Sequence, residues 1–335
     1  MTIHLPQLIG EWRKAMKIVV GYDGSGPSGK ALDDLAYAGL PATGVEALVI
    51  SVAEVWMPPA NQVNGNGFNK DDFPDSINDL VEKRQKIAEN VIHEAELLSR
   101  YAKEKIAAEF PGWEVTAEAT NGSPGWEILA RANSFKPALI VVGSQGRNAF
   151  GRILLGSISH KILTEAKCSV RVARGNASGR PAADGKPRKI IVGFDGSMGS
   201  KIAVSEVASR NWNKGSEVSL VTAVQSLVPS TIGRFIPPVR DWVESDLGSE
   251  KEWMEKIADS SIKKLEDAGL RVKLEIEEGN PKEILVNKAA KWRADSIFVG
   301  AHSYSGMVER LLIGSTASAI AERAACSVEA VRSTE

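Results

Sequence analysis

The sequence predicts an α/β protein of two tandem Rossmann-like domains, each a five-stranded parallel sheet flanked by helices. Three observations carry this expectation. The chain has 335 residues, too many for one small domain and enough for two of about 150. It also repeats itself: KIVVGYDGS at 17–25 returns as KIIVGFDGS at 189–197, RILLGS at 152–157 as RLLIGS at 310–315, and CSVRV at 168–172 as CSVEA at 326–330. The order is kept while the offset falls from 172 to 158, so the first copy carries extra residues in its middle. Finally, short apolar runs alternate with longer amphipathic runs in each copy, the pattern of a parallel sheet covered on both faces. The domains are placed at 16–173 and 188–332. A leader occupies 1–15, and a linker rich in Gly, Pro, Ala and charge occupies 174–187.

The elements follow in order. KIVVG at 17–21 is a strand, followed by a turn and a helix near 28–39. EALVISV at 46–52 is a second strand. Residues 53–75 are rich in Pro, Asn and Asp and read as a long loop. Residues 76–108 form a long helix, with Ile87, Val91, Ala95 and Leu98 at helical spacing. WEVTAEA at 113–119 alternates, which suits an edge strand. A helix near 124–135 leads to ALIVVG at 138–143, and a helix at 157–165 leads to CSVRVA at 168–173. The second copy repeats this with strands near 189–193, 217–223, 271–276, 296–300 and 327–331. Ligand-binding loops are expected beyond the C-terminal strand ends, where the strand order reverses.

Composition narrows the function classes. Lys and Arg total 41, Asp and Glu 42, and the formal charge is -1. No overall positive field favours nucleic acid, and no aromatic-basic interleaving suggests it. No stretch reaches the 18 or so apolar residues of a membrane helix. The first residues lack the basic start and unbroken apolar core of a secretory signal, so the expected location is cytoplasmic. Two cysteines, Cys168 and Cys326, do not make a disulfide scaffold; they read as buried structural thiols.

Two glycine clusters compete as binding loops. GSGPSGK at 24–30 has the spacing G-x-x-x-x-G-K of a phosphate-binding P-loop after a strand, but Ala31 stands where magnesium needs a hydroxyl. The second copy has no matching glycine before Lys201. A strand-to-helix turn is the better reading, with Ser28 or Ser200 near a helix start. GSQGRNAFGRILLGS at 143–157 is the stronger signal: it follows a strand, precedes a helix, and reads G-x-x-G, nine residues, then G-S. Its glycines permit close backbone approach and positive φ. Gly156 and Ser157 stand where free helix amides would point at an anion. A phosphate-bearing ligand or an ordinary helix cap with a long loop both fit.

This segment resembles the nucleotide-binding signature of the universal stress protein family, G-2x-G-9x-G-(S/T), and IVVGYDGS strengthens the likeness. The chain as a whole resembles a tandem member with two such domains. The resemblance implies the strand order 3-2-1-4-5 and binding of ATP or another adenine nucleotide, with Mg2+ accompanying a triphosphate. It implies that Asp23 and Val52 hold adenine and ribose, that Gly122 and Pro124 form a G-x-P turn, that Gly143, Gly146, Gly156, Ser157 and Ile158 form the phosphate loop, and that Val142 is among the nucleotide-binding residues. It also implies that the last strands of the two halves meet in a pseudo-dimer. A homodimer of whole chains and a protein partner are further expectations.

The second copy offers a candidate site at Asp195, Val224, Gly279, Pro281, Gly300, His302, Ser303, Gly314 and Ser315. Ser303 replaces the second glycine, and the interval to Gly314 is ten residues. A Cβ at position 303 obstructs close approach, so the first site ranks above the second. Asp23 suits ribose hydroxyls better than phosphates, or else serves an Asx turn. Arg147 and Arg152 are candidate phosphate partners or solvent-facing charges. His302 either touches phosphate or caps its loop. No zinc-site spacing and no acyl-hydrolase elbow occur, and no catalytic residue is nominated. The loops 53–75, with Trp56 and Phe73, and 225–245, with Phe235 and Trp242, are candidate lids or partner surfaces. The functional expectation is an ATP-binding stress sensor or regulator. The alternatives are a nucleotide-independent interaction module of the same fold and a slow ATP hydrolase.

Overall fold

A computed structural model describes residues 15–55, 75–146, 155–175, 185–224, 237–301 and 313–333. The first half runs β1 (Met16–Gly21), α1 (Gly26–Asp34), β2 (Thr43–Ala53), α2 (Asp75–Glu109), β3 (Gly112–Asn121), α3 (Pro124–Phe135), β4 (Leu139–Gly143), α4 (Ser157–Glu165) and β5 (Ser169–Ala173). The second runs β6 (Lys189–Gly193), α5 (Met198–Ser209), β7 (Glu217–Val224), α6 (Pro237–Asp267), β8 (Arg271–Glu278), α7 (Pro281–Trp292), β9 (Ser296–Gly300), α8 (Ser315–Arg323) and β10 (Ser327–Val331). The second long helix therefore begins inside the segment expected to be a loop over 225–245.

The ten strands among the described residues form one sheet in the order β3-β2-β1-β4-β5-β10-β9-β6-β7-β8. Each half has the order 3-2-1-4-5 with parallel neighbours. The central runs are apolar because both faces are covered: Ile18, Val19, Val20, Leu139, Ile140 and Val141 are all fully buried. The alternating strands β3 and β8 are the two edges. In α2 the inward stripe is Ala88, Ala95, Ser99, Ala102 and Ile106. Ile87, expected on that stripe, is 61% exposed, because Ala88 rather than Ile87 keeps the seven-residue step to Ala95 and Ala102.

The duplication survives in backbone detail. Lys136 and Arg293 close α3 and α7 in the left-handed region, at φ 53° and 54°. Gly122 and Gly279, before Pro124 and Pro281, sit at φ 134° and 135°, where a side chain is strained.

The halves meet where β5 and β10 pair antiparallel, with Arg171 opposite Glu329. One face of this seam is a shared apolar core that includes Ile162, Leu163, Val170 and Val172 with Ile320, Ala321, Val328 and Ala330. Mirrored polar ties cross it. The Arg174 amide donates to Ser327 Oγ and the Arg332 amide to Ser169 Oγ, both at 3.1 Å. Arg174 also donates to the Ala321 carbonyl and Arg332 to the Leu163 carbonyl.

The other face is charged and is not mirrored. Arg171 and Glu329 occupy corresponding positions of the repeats, one basic and one acidic, and both are fully buried. Arg171 reaches Asp34 at the end of α1, and Glu329 binds Arg210 just after α5. Arg171 and Glu329 stand 3.4 Å apart, so the charges alternate along Asp34, Arg171, Glu329 and Arg210. Burial opposes the Arg171 charge, and Asp34 and Glu329 outweigh it, which raises its pKa. Two first halves paired in this way would set Arg171 against Arg171. The seam is thus complementary between unlike halves, and a dimer of whole chains needs another surface.

Both cysteines are free and buried beside this seam. Burial pushes the Cys168 thiol up to about 11 and the Cys326 thiol up to about 12. Neither is a reactive thiolate near neutral pH.

Candidate functional site

In the first half the strand order reverses between β1 and β4, and the residues following those strands border a cavity of about 600 Å3. That volume lies in the range of small-molecule sites. Nine of the ten residues proposed for the first site line it: Asp23, Val52, Pro124, Val142, Gly143, Gly146, Gly156, Ser157 and Ile158. The tenth, Gly122, instead donates its amide to the Ala53 carbonyl at 2.9 Å and turns the chain into α3.

One part of the wall is the start of α4. Its N-cap is Gly156, at φ -68° and ψ 154°, with no side-chain cap. The Gly156 amide is used by the Ser144 carbonyl at 2.8 Å, so the helix offers the amides of Ser157, Ile158 and Ser159. Ser159 Oγ donates to the Gly143 carbonyl at 2.6 Å and fixes the turn. Helices α1 and α5 differ: the hydroxyls of Ser25 and Ser197 cap them by accepting from the amides of Ser28 and Ser200. The P-loop-like GSGPSGK is therefore a self-capped helix start, whereas α4, which borders the cavity, starts without a side-chain cap and is open to an anion.

Another part of the wall is apolar. Ala53 from β2 and Val91, Ala95 and Leu98 from α2 border the cavity, together with the acidic Glu54 and Glu94. Sequence reasoning missed the α2 contribution. The available signal was the small Ala95 on the inward stripe of a long helix, opposite a larger residue in the other copy. Asp23 Oδ1 accepts from the Ser25 amide at 3.0 Å, so the Asx turn exists while the residue also borders the cavity.

Three glycines do not adopt the positive φ expected of binding-loop glycines. Gly143 and Gly300 end β4 and β9 in extended backbone, and Gly156 has negative φ. A Cβ on Gly143 would lie 2.7 Å from the Pro27 carbonyl, and one on Gly300 2.4 Å from the Gly199 carbonyl carbon. These two glycines let α1 and α5 start against the strand ends. A Cβ on Gly146 would meet Asp23 Oδ2 at 3.3 Å, so that glycine makes room for a carboxylate.

In the second half, Asp195 repeats the Asx turn of Asp23 by accepting from the Ser197 amide. Gly314 begins α8 without a side-chain cap, and Ser315 is its first residue. Pro281 starts α7. His302 and Ser303 lie outside the described residues, as do Arg147, Arg152, Trp56, Phe73 and Phe235.

Val224 is not the counterpart of Val52. Gly122 bonds to the Ala53 carbonyl and Gly279 to the Val224 carbonyl, while Tyr22 bonds to Ile50 and Phe194 to Val221. The β2–β7 offset is thus one less than that of β1–β6. Ala223 matches Val52, and Val224 matches Ala53 on the opposite face of the sheet. Among the described residues no group of three or more His, Cys, Asp or Glu is arranged to hold a metal ion, and no helix is long and apolar enough to cross a membrane.

Fold and site together define a duplicated, doubly wound α/β protein with an open helix start at its switch-point cavity. The chain belongs to the universal stress protein family, whose model matches residues 14–174 and 186–332. A universal stress protein of Mycobacterium tuberculosis is 27% identical over 327 residues, 96% of this chain and 98% of that one. One from Mycolicibacterium smegmatis is 29% identical over 201 residues, 58% of this chain and 61% of that one. The crystal structure of a universal stress protein from Archaeoglobus fulgidus shares the fold at a TM-score of 0.54 and 20% identity, covering 94% of this chain and 98% of that one.

Proposed function

We propose that the first half binds an adenine nucleotide, ATP or a relative of it, and that the chain acts as a sensor or regulator in a stress response. The observation that carries this is a single cavity with two chemically distinct walls: the uncapped start of α4 and the apolar surface of Ala53, Val91, Ala95 and Leu98. Such a site favours a ligand with an anionic end and a flat apolar end. The amides of Ser157 and Ile158, with the Ser157 hydroxyl, would take phosphate. Val52, Ala53 and α2 would cover adenine, and Asp23 would accept from ribose hydroxyls. Magnesium would arrive with a triphosphate. The family boundaries and the seam support domains at 16–173 and 188–332 that act as one pseudo-dimer. A cytoplasmic location and a protein partner go with this reading.

The experiment is a melting series of the full chain with ATP, ADP, AMP, ribose 5-phosphate and adenine at equal millimolar concentration. A ligand present at a hundred times its Kd adds about 2.7 kcal/mol, which raises the melting temperature by a few degrees. The expected result is a rise with the nucleotides that neither fragment matches. No rise with any nucleotide, or an equal rise with ribose 5-phosphate, would reject adenine-nucleotide binding.

A further inference from the structure

We infer that the second half has closed the apolar part of its cavity with its own side chains, so that the chain takes one ligand, in the first half. The identity of the ligand rests on the nucleotide reading; the closure itself does not.

Hydrogen-bond register sets the correspondence. Val224 stands where Ala53 does. On the next strand, Ala119 pairs with Ser51 and Ile276 with Thr222, so Ile276 stands where Ala119 does. The long helices correspond by burial: Ala95, Ser99, Ala102 and Ile106 are buried in α2, and Met254, Ala258, Ser261 and Leu265 at the same spacing in α6. Met254 therefore stands for Ala95, and Ile257 for Leu98. Three alanines of the first half are thus valine, methionine and isoleucine in the second, each exchange adding two or three non-hydrogen atoms.

The consequence is visible in the packing. Ala53 and Ala95 line the open cavity. Val224 and Met254 form an apolar cluster of their own with Ile257 and Ile276; Ala53 and Ala95 are as deeply buried as they are, so the halves differ in side-chain bulk at this place and not in exposure. Ile257 also leans onto the turn after Asp195: a Cβ at Gly196 would lie 2.4 Å from its Cδ1. An apolar ring has no room there unless these side chains move. The open α8 start survives in a half whose apolar compartment is filled.

Two readouts on the full chain test this. Cys168 and Cys326, buried and protonated, give a quiet background for a small methylating thiosulfonate. Ala53→Cys, which borders the cavity, should be labelled faster than Val224→Cys, which must wait for local opening. Adding Met254→Ala to Val224→Cys should restore fast labelling. Equilibrium dialysis with ADP should then give one ligand per chain, and Ala95→Met should weaken it more than tenfold. Equal labelling of the two cysteines, two ADP per wild-type chain, or unchanged binding by Ala95→Met would overturn the inference. The predicted labelling with no ADP bound would uphold the closure and reject the nucleotide reading alone.

Discussion

Exchange of Glu329 for glutamine is expected to destabilise the chain by about 3–5 kcal/mol, the usual loss when one partner of a buried ion pair is removed. Glu329 is fully buried on β10, where it faces Arg171 across the seam and binds Arg210. Glutamine keeps the volume and removes the charge. Arg171 retains Asp34, but Arg210 is left with Glu206, 2.8 Å away and partly exposed. The remaining cost is that of a buried guanidinium facing a neutral amide, and salt screens it little. Urea denaturation monitored by circular dichroism reads the change. The comparison is Glu217→Gln, which breaks the exposed pair with Arg271 and should cost no more than about 1 kcal/mol. If Glu329→Gln is as mild as Glu217→Gln, the charged line does not hold the halves together.

The second large effect is on binding. Ser157→Pro is expected to weaken ADP about ten- to a hundredfold while leaving stability nearly unchanged. Proline suits the first helical position because its fixed φ fits and no intrahelical partner is lost. The residue before it must be extended, and Gly156 already is, at ψ 154°. The exchange removes one amide and one hydroxyl from the anion end, and a hydrogen bond to a charged group is worth about 1.5–3 kcal/mol. Ser315→Pro makes the same change at α8, where Gly314 has ψ 145°, and should leave ADP affinity unaltered. A melting curve and a fluorescence titration separate folding from binding. Equal losses from both variants would mean that both helix starts hold ligand.

Much of this was legible in the sequence because it depends on local pattern. Repeats such as KIVVGYDGS and KIIVGFDGS gave the two halves, and continuous apolar runs gave the central strands. Alternation in WEVTAEA marked an edge strand. The open start of α4 followed from glycine at position 156, a residue with no capping side chain.

What escaped depends on distance through space. Arg171 and Glu329 read as ordinary members of apolar strands until the antiparallel pairing put them face to face. Pairing Val52 with Val224 by a constant offset failed, because one residue fewer separates β6 from β7 than β1 from β2, and a single step moves a strand residue to the other face. Gly143 looked like a ligand-approach glycine, whereas the nearby Pro27 carbonyl explains it. Ala95, on a helix far from every glycine motif in the sequence, lines the cavity, and only the packed fold brings it there.

The most direct test of the central claim is a crystal structure of the full chain grown with saturating ADP. The expected result is nucleotide density in the first half, with phosphate oxygens on the amides of Ser157 and Ile158, adenine against Ala53 and Ala95, and none beside Met254. Crystals that diffract well with that cavity empty, or with the nucleotide bound somewhere else on the molecule, would contradict it.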